Sequence, residues 1–241
     1  MCKRCHTADS GRTAEAVRLR LQTQINVVFS VIMSNRADIP SECWSGTMLG
    51  CYYDQLPHWV VDFGCYALTI RCKGSLPKAI IQKLAEINDA LKDITAQNEE
   101  ALKYHRRSFQ ILEAYLDKSG ENALFHQPNV RLSFSEFMQD YDINGLRLKN
   151  WAIMPNHMHL LTEPFRAQEV QDFRSAIQQF KLRSTQNINR ALKRSGPVWQ
   201  KGWYDRWVRN ENEFRRWLRY IQMNPVKAGL CHSPEEWIGL Q

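Results

Sequence analysis

Leu146-Arg147-Leu148-Lys149-Asn150-Trp151-Ala152-Ile153-Met154-Pro155-Asn156-His157-Met158-His159-Leu160-Leu161-Thr162 decides how this chain folds. Leu146–Ile153 alternates and carries Trp151, so it reads as a strand. Met154-Pro155-Asn156 is a turn, and His157–Thr162 reads as a strand returning antiparallel to the first. Upstream, Cys65–Cys72 reads as an earlier strand closed by Gly74. Ser75 as N-cap and Pro77 in the first turn then open a helix reaching about Gln97, with Ile80, Leu84, Ile87, Leu91 and Ile94 at helical spacing. Further helices fit Glu99–Leu116 and Phe134–Tyr141. Downstream come a long helix over about Gln168–Lys193 and a short strand, Trp203–Val208. A last helix runs from about Glu211 to Met223, capped by Asn210 and stopped by Pro225. The order β-α-β-β-α-β-α predicts an α+β, ferredoxin-like antiparallel sheet plus a C-terminal helix, with helical insertions after the first long helix.

The composition is that of a globular chain: 241 residues, 44% apolar and 24% charged. No run approaches the roughly 18 apolar residues of a membrane helix, and no export signal is legible, so a cytoplasmic protein without a membrane partner is expected. Seven scattered cysteines argue against a disulfide framework. Residues 1–45 read as an extension of unknown role, with one candidate helix from Thr13 to Ser34, and residues 46–241 as the working domain. The formal charge of +7 is uneven: residues 1–145 hold 16 Lys+Arg against 17 Asp+Glu, and residues 146–241 hold 16 against 8. The surplus therefore sits in the last two-fifths, as expected of a surface that binds a polyanion. Lys181, Arg183, Arg190, Lys193, Arg194, Lys201, Arg206 and Arg209 are the candidates to track the phosphates of such a polyanion. Trp199, Trp203 and Trp207 are candidate stacking platforms, though core packing is expected for at least two of the three.

Two short constellations carry chemistry. On a strand, His157 and His159 project from one face while Met158 points the other way, so both imidazoles can grip one divalent cation. The competing reading is a pair of surface histidines. On the last helix, Phe214, Trp217, Leu218 and Ile221 form the stripe that packs on the sheet, with Tyr220 at its flank. Asn224, four residues on, shares the side of Tyr220. A phenol and a carboxamide one turn apart can serve one metal site as nucleophile and ligand; alternatively they are a boundary aromatic and a helix cap. Tyr204 is the other nucleophile to consider.

Trp151-Ala152-Ile153-Met154-Pro155-Asn156-His157-Met158-His159-Leu160-Leu161 resembles the HUH signature of the REP-associated tyrosine transposases. Tyr220-Ile221-Gln222-Met223-Asn224-Pro225-Val226-Lys227-Ala228-Gly229-Leu230 resembles that family's tyrosine motif. Val198-Trp199-Gln200, Tyr204-Asp205-Arg206, Leu56-Pro57-His58-Trp59 and Tyr115-Leu116-Asp117 also fit its pattern, so the likeness runs from about residue 50 to the end. The resemblance implies that His157, His159 and Asn224 hold Mg²⁺ or Mn²⁺ and that Tyr220 is the nucleophile. The implied activity is a metal-dependent single-strand DNA endonuclease and strand transferase, with a 5′-phosphotyrosine intermediate on hairpin-containing DNA. The alternative is a catalytically inactive, sequence-specific DNA-binding protein of the same fold. A monomer acting in cis and a homodimer acting in trans both remain open. A free phenol has a pKa of about 10, and no residue stands out in the sequence as the base that deprotonates Tyr220.

Overall fold

The computed structural model describes residues 41–44, 46–53, 57–91, 99–117, 123–139 and 141–241. The candidate helix Thr13–Ser34 and the extension up to residue 40 lie outside them. The strands are β1 (Met48–Tyr53), β2 (Pro57–Val61), β3 (Cys65–Arg71), β4 (Asp142–Ile143), β5 (Leu146–Ile153), β6 (His157–Thr162) and β7 (Tyr204–Val208). The α-helices are α1 (Lys78–Leu91), α2 (Glu99–Leu116), α3 (Pro128–Gln139), α4 (Val170–Ala191) and α5 (Glu211–Lys227). A five-stranded sheet has the order β4-β5-β6-β3-β7, antiparallel throughout, and β1 pairs with β2 in a separate hairpin. Leaving out the two-residue β4, the order is second, third, first, fourth of the four principal strands, which is the ferredoxin-like arrangement the element order predicted.

Every residue of β6 is buried, so it is covered on both faces. On one face Met158 and Leu160 join Leu68, Ile70, Trp151 and Ile153 beneath Phe173, Ala176, Ile177 and Phe180 of α4 and Val130, Phe134 and Met138 of α3. Burying a large apolar side chain is worth about 1.5–3 kcal/mol each, so this layer dominates the stability of the domain. On the other face, direct cross-strand pairing sets Ala152, His159, Thr69 and Tyr204 in one row. A second apolar cluster of Leu76, Ile80, Leu112, Leu116 and Tyr204 packs α1 and α2 there. The helix that packs beside α4 is thus α3, while the α1–α2 pair contributes to the cluster around Tyr204 on the histidine face.

The boundaries of α2, β5 and β6 match those expected. Four elements differ, each for a local reason. The helix α1 starts at Lys78, so Pro77 precedes its first turn rather than lying in it; the Pro77 carbonyl accepts from Ile81 N (3.2 Å), and Ser75 is not the N-cap. The start of α3 is Pro128, a proline in the first turn where its missing N–H costs nothing, rather than Phe134. Pro225 does not stop α5, which continues to Lys227. The stop is Gly229 at φ 70°, where Gly229 N bonds Val226 O and Leu230 N bonds Pro225 O, both at 2.9 Å. Ser41–Trp44 forms a 3₁₀ turn in which Trp44 meets Phe214 (centroids 5.9 Å apart), so the folded body already includes residues assigned to the extension. Asn210 caps α5 as expected, accepting from Glu213 N at 2.9 Å.

Candidate active site

Alternation along β6 turns His157 and His159 away from the core layer, and their Nε2 atoms stand 3.1 Å apart. Asn156 Oδ1 accepts from His157 Nδ1 at 2.7 Å, because an amide oxygen has no proton to give. The Nε2 lone pair of His157 therefore faces its partner. His159 Nδ1 meets Thr69 Oγ1 at 2.9 Å, and a hydroxyl can donate or accept, so His159 can give up its Nε2 proton when a cation arrives. Burial lowers both imidazole pKa values, that of His157 to about 3. Both rings are thus neutral at physiological pH, the form that ligates metal.

Glu113 of α2 completes the group, and the sequence reading missed it. Its Oε2 lies 3.5 Å from His159 Nε2, and the hydroxyl of Tyr220 donates to that same oxygen. Burial, helped by the nearby Asp117 charge and opposed by Lys227, pushes the Glu113 carboxyl up to about 8. Ligand atoms of Glu113, His157 and His159 all lie within 4.8 Å of one another. Asn224 is buried beside them, its amide interacting with the Glu113 carboxyl and lowering its pKa, while among the described residues its Oδ1 and Glu113 Oε1 have no well-formed hydrogen bond. An unpaired buried acceptor costs roughly 1–3 kcal/mol. Two imidazoles, a carboxylate and the amide oxygen of Asn224 form a donor set that could hold a divalent cation. The only sequence signal for Glu113 was its place on the buried face of a helix carrying the Tyr115-Leu116-Asp117 motif.

Tyr220 projects from α5 toward these groups, with its ring centroid 5.3 Å from that of His159 and 75° from its plane. Lys227, two turns on, brings its ammonium 5.7 Å from the Tyr220 ring. It too was missed as a site residue, since an α5 ending at Met223 would leave it off the helix. Trp217, expected on the sheet-facing stripe, instead packs edge-on to Tyr220 (centroids 5.3 Å) and Phe109 (5.6 Å). Tyr204, the other phenol considered, is buried and its pKa raised by that burial, which does not suit a nucleophile.

The cationic candidates divide. Arg183, Arg190, Lys193, Arg194 and Lys201 are exposed. Lys181 instead bonds the carbonyls of Gln200 (2.5 Å) and Lys201 (2.6 Å), tying down the loop before β7. Arg206 is paired with Glu213, and Arg209 lies 5.7 Å from the ring centroids of both Trp59 and Trp207. Trp199 and Trp203 are core residues and Trp207 is half-buried. None of the five cysteines among the described residues is in a disulfide, and no described helix is long and apolar enough to cross a membrane.

Fold and site together place paired histidines on the third principal strand, faced by a tyrosine on the helix after the fourth. Residues 121–224 match the family model described as "Transposase IS200 like". The chain is similar to the REP-associated tyrosine transposase of Escherichia coli K12, 31% identical over 88 residues, 36% of this chain and 48% of that protein. It is also similar to the putative REP-associated tyrosine transposase of Haemophilus influenzae, 27% identical over 95 residues, 36% of this chain and 53% of that one. The chain thus spans about half the length of these two relatives. A match at 27% identity to the bifunctional uridylyltransferase/uridylyl-removing enzyme of Nitrosococcus oceani spans 59% of this chain but 16% of that protein. The solved structure of a REP-associated tyrosine transposase bound to a REP hairpin aligns over 77% of this chain and 79% of that one, at 15% identity and a TM-score of 0.37.

Proposed function

We propose that this chain is a transposase-like, metal-dependent single-strand DNA endonuclease and strand transferase that works through Tyr220 on hairpin-containing DNA. The observation that carries the reading is the convergence of the Tyr220 hydroxyl, Glu113 and the His157/His159 pair in one buried group. His157, His159 and Glu113, with the amide oxygen of Asn224, would hold Mg²⁺ or Mn²⁺. The ion would supply polarisation of the scissile phosphate and charge neutralisation at the departing oxygen.

The remaining chemistry belongs to the chain. The Tyr220 oxygen attacks phosphorus in line, a new phenol O–P bond forms, and the P–O3′ bond breaks. The product is a 5′-phosphotyrosine and a free 3′-OH. Glu113, ionised when it serves as a metal ligand, would take the Tyr220 proton along their existing hydrogen bond, and water would supply the proton that the departing 3′ oxygen gains, so the step balances. Because the phosphodiester energy is kept in the covalent link, a second 3′-OH can reverse the step and join new strands without ATP. Arg183, Arg190, Lys193, Arg194 and Lys201 would track the phosphates. The likeness to curated REP-associated tyrosine transposases supports DNA as the substrate class.

The test is incubation of labelled hairpin oligonucleotides, taken from around the chain's own coding locus, with Mn²⁺ or Mg²⁺, followed by a denaturing protein gel. A labelled band at protein mass that is absent for Tyr220→Phe, while DNA binding stays within about 1.4 kcal/mol (tenfold) of wild type, is expected. Clean cleavage without an adduct would replace the tyrosine mechanism with hydrolysis. Binding without cleavage on every hairpin would favour a DNA-binding protein that has lost catalysis.

A further inference from the structure

Beside Tyr220 lies a cavity of about 330 Å³ that the mechanism above does not use. Phe109 of α2, Tyr204 of β7 and Trp217 and Tyr220 of α5 form its aromatic wall, with Arg216 and Gln110 at its mouth. Phe109 stands 4.5 Å from Tyr204, 5.6 Å from Trp217 and 6.2 Å from Tyr220, centroid to centroid. Four rings therefore converge on one hollow, while Arg216 and Gln110 are exposed. Glu213, the carboxylate in the lining, is already neutralised by Arg206 and by the Arg209 N–H at 3.1 Å, so it adds little repulsion toward an anionic strand.

We infer that this cavity receives one unpaired nucleobase, that of the nucleotide next to the phosphate Tyr220 attacks; the inference rests on the DNA-cleaving reading above. Three features of the cavity point to that occupant. Its volume is at the small end of ligand pockets, which run from about 300 Å³, and so suits a single nucleoside rather than a stretch of chain. Its walls are aromatic faces and edges, the surfaces on which unpaired bases stack regardless of sequence. Its mouth carries an exposed guanidinium for the backbone phosphate and a carboxamide able to donate to and accept from a base edge. Because Tyr220 is itself part of the wall, a base held here sets the register of the strand on the nucleophile. The cavity would thus choose which phosphate is cut through position rather than through charge.

The test compares two single strands of about a dozen nucleotides, one of oligo-dT and one of abasic sugar-phosphate of equal length and charge, by fluorescence anisotropy. Wild type should prefer the base-bearing strand, and Trp217→Ala should shrink that preference by roughly 5- to 150-fold, the range of one base–aromatic stack. Phe109→Leu keeps the apolar volume but removes a ring, and should shrink the preference in the same direction if Trp217→Ala fails to fold. Arg216→Ala should weaken both strands alike and leave the preference intact. Equal binding of the two strands by wild type, no binding of either, or a preference untouched in both ring variants overturns the inference. Adduct formation on hairpin DNA is scored in parallel. A preference lost on ring removal without any adduct leaves the cavity standing and removes the catalytic reading; an adduct without base preference does the reverse.

Discussion

Glu113 is the residue whose position most changes the reading of this site. Its carboxyl is raised from an ordinary value near 4.5 to about 8 by burial, so in metal-free protein it keeps its proton across a range where an unfolded chain releases it. Between those two values, each rise in pH favours the unfolded state, and stability fully present below pH 4.5 is lost as pH climbs through 8. Glu113→Gln removes that slope. Thermal melts in chelator should show the variant gaining on wild type between pH 5 and 9, with each kcal/mol worth roughly 2–4 °C in Tm. Parallel melting curves at all pH values would mean that Glu113 is ionised in the folded protein. Asn156 supports a second residue-scale prediction. It fixes the His157 ring at 2.7 Å and ties the turn to the Leu116 carbonyl at 3.3 Å. Asn156→Ala should weaken Mn²⁺ binding by about 10- to 100-fold, the usual cost of removing a partner of a metal-ligating histidine. Calorimetric titration with unchanged affinity would remove His157 from the proposed ligand set.

At the scale of elements, the last helix has to be long enough to carry Tyr220, Asn224 and Lys227 together, and Gly229 decides where it stops. A Cβ at Gly229 would meet nothing within 4 Å, so Gly229→Ala costs only the left-handed backbone, roughly 1–2 kcal/mol. Tm should fall by several degrees without loss of the Tyr220–Glu113 contact; an unchanged Tm would show that the stop does not depend on glycine. This helix also illustrates what was legible in the sequence. Strands β5 and β6, α2 and the Tyr220 motif could be read because alternation and helical spacing are local signals. Past Pro225 the local rule misled: the proline forfeits only its own N–H bond, and the helix runs on to a closing turn in which Ala228 N, Leu230 N and Gly229 N bond the carbonyls of Asn224, Pro225 and Val226. The β1–β2 hairpin was not read as strands, because a register shift between Met48 and Gly50 breaks the clean alternation that marks a strand in sequence. Glu113 left only its place on the buried face of a helix as a signal, because its part depends on where an inserted helix lands, 44 residues from the first histidine in sequence. Lys181, equally, looked like a free cation until the loop it holds was visible.

Across the whole molecule, two layers divide the labour. The α3–α4 layer supplies an apolar core, and the face bearing α1, α2 and α5 supplies the chemistry, with exposed cations on α4 and the segment after it. If Arg183, Arg190 and Arg194 contact phosphates, reversing each to Glu should weaken single-strand binding at all sequences. Each should also flatten the dependence of log affinity on log salt by about 0.7 per lost contact. Reversing Arg215, which is paired with Glu211 at 2.5 Å on an exposed turn of α5, should alter that slope less. A slope insensitive to all three would move the binding surface elsewhere.

One strand belongs to both layers. In β6, Met158 serves the core and its two neighbours serve the site, so a slip of one residue would exchange them. Both imidazoles would then be driven among the phenylalanines of α4, and the thioether would sit beneath Tyr220. Such a mistake would forfeit packing and reactivity at once. The fold therefore audits its own active site: a molecule that has closed its core has, by the same act, aimed its histidines. In a purified preparation, the fraction of chains able to form the tyrosyl adduct should equal the fraction that melts cooperatively.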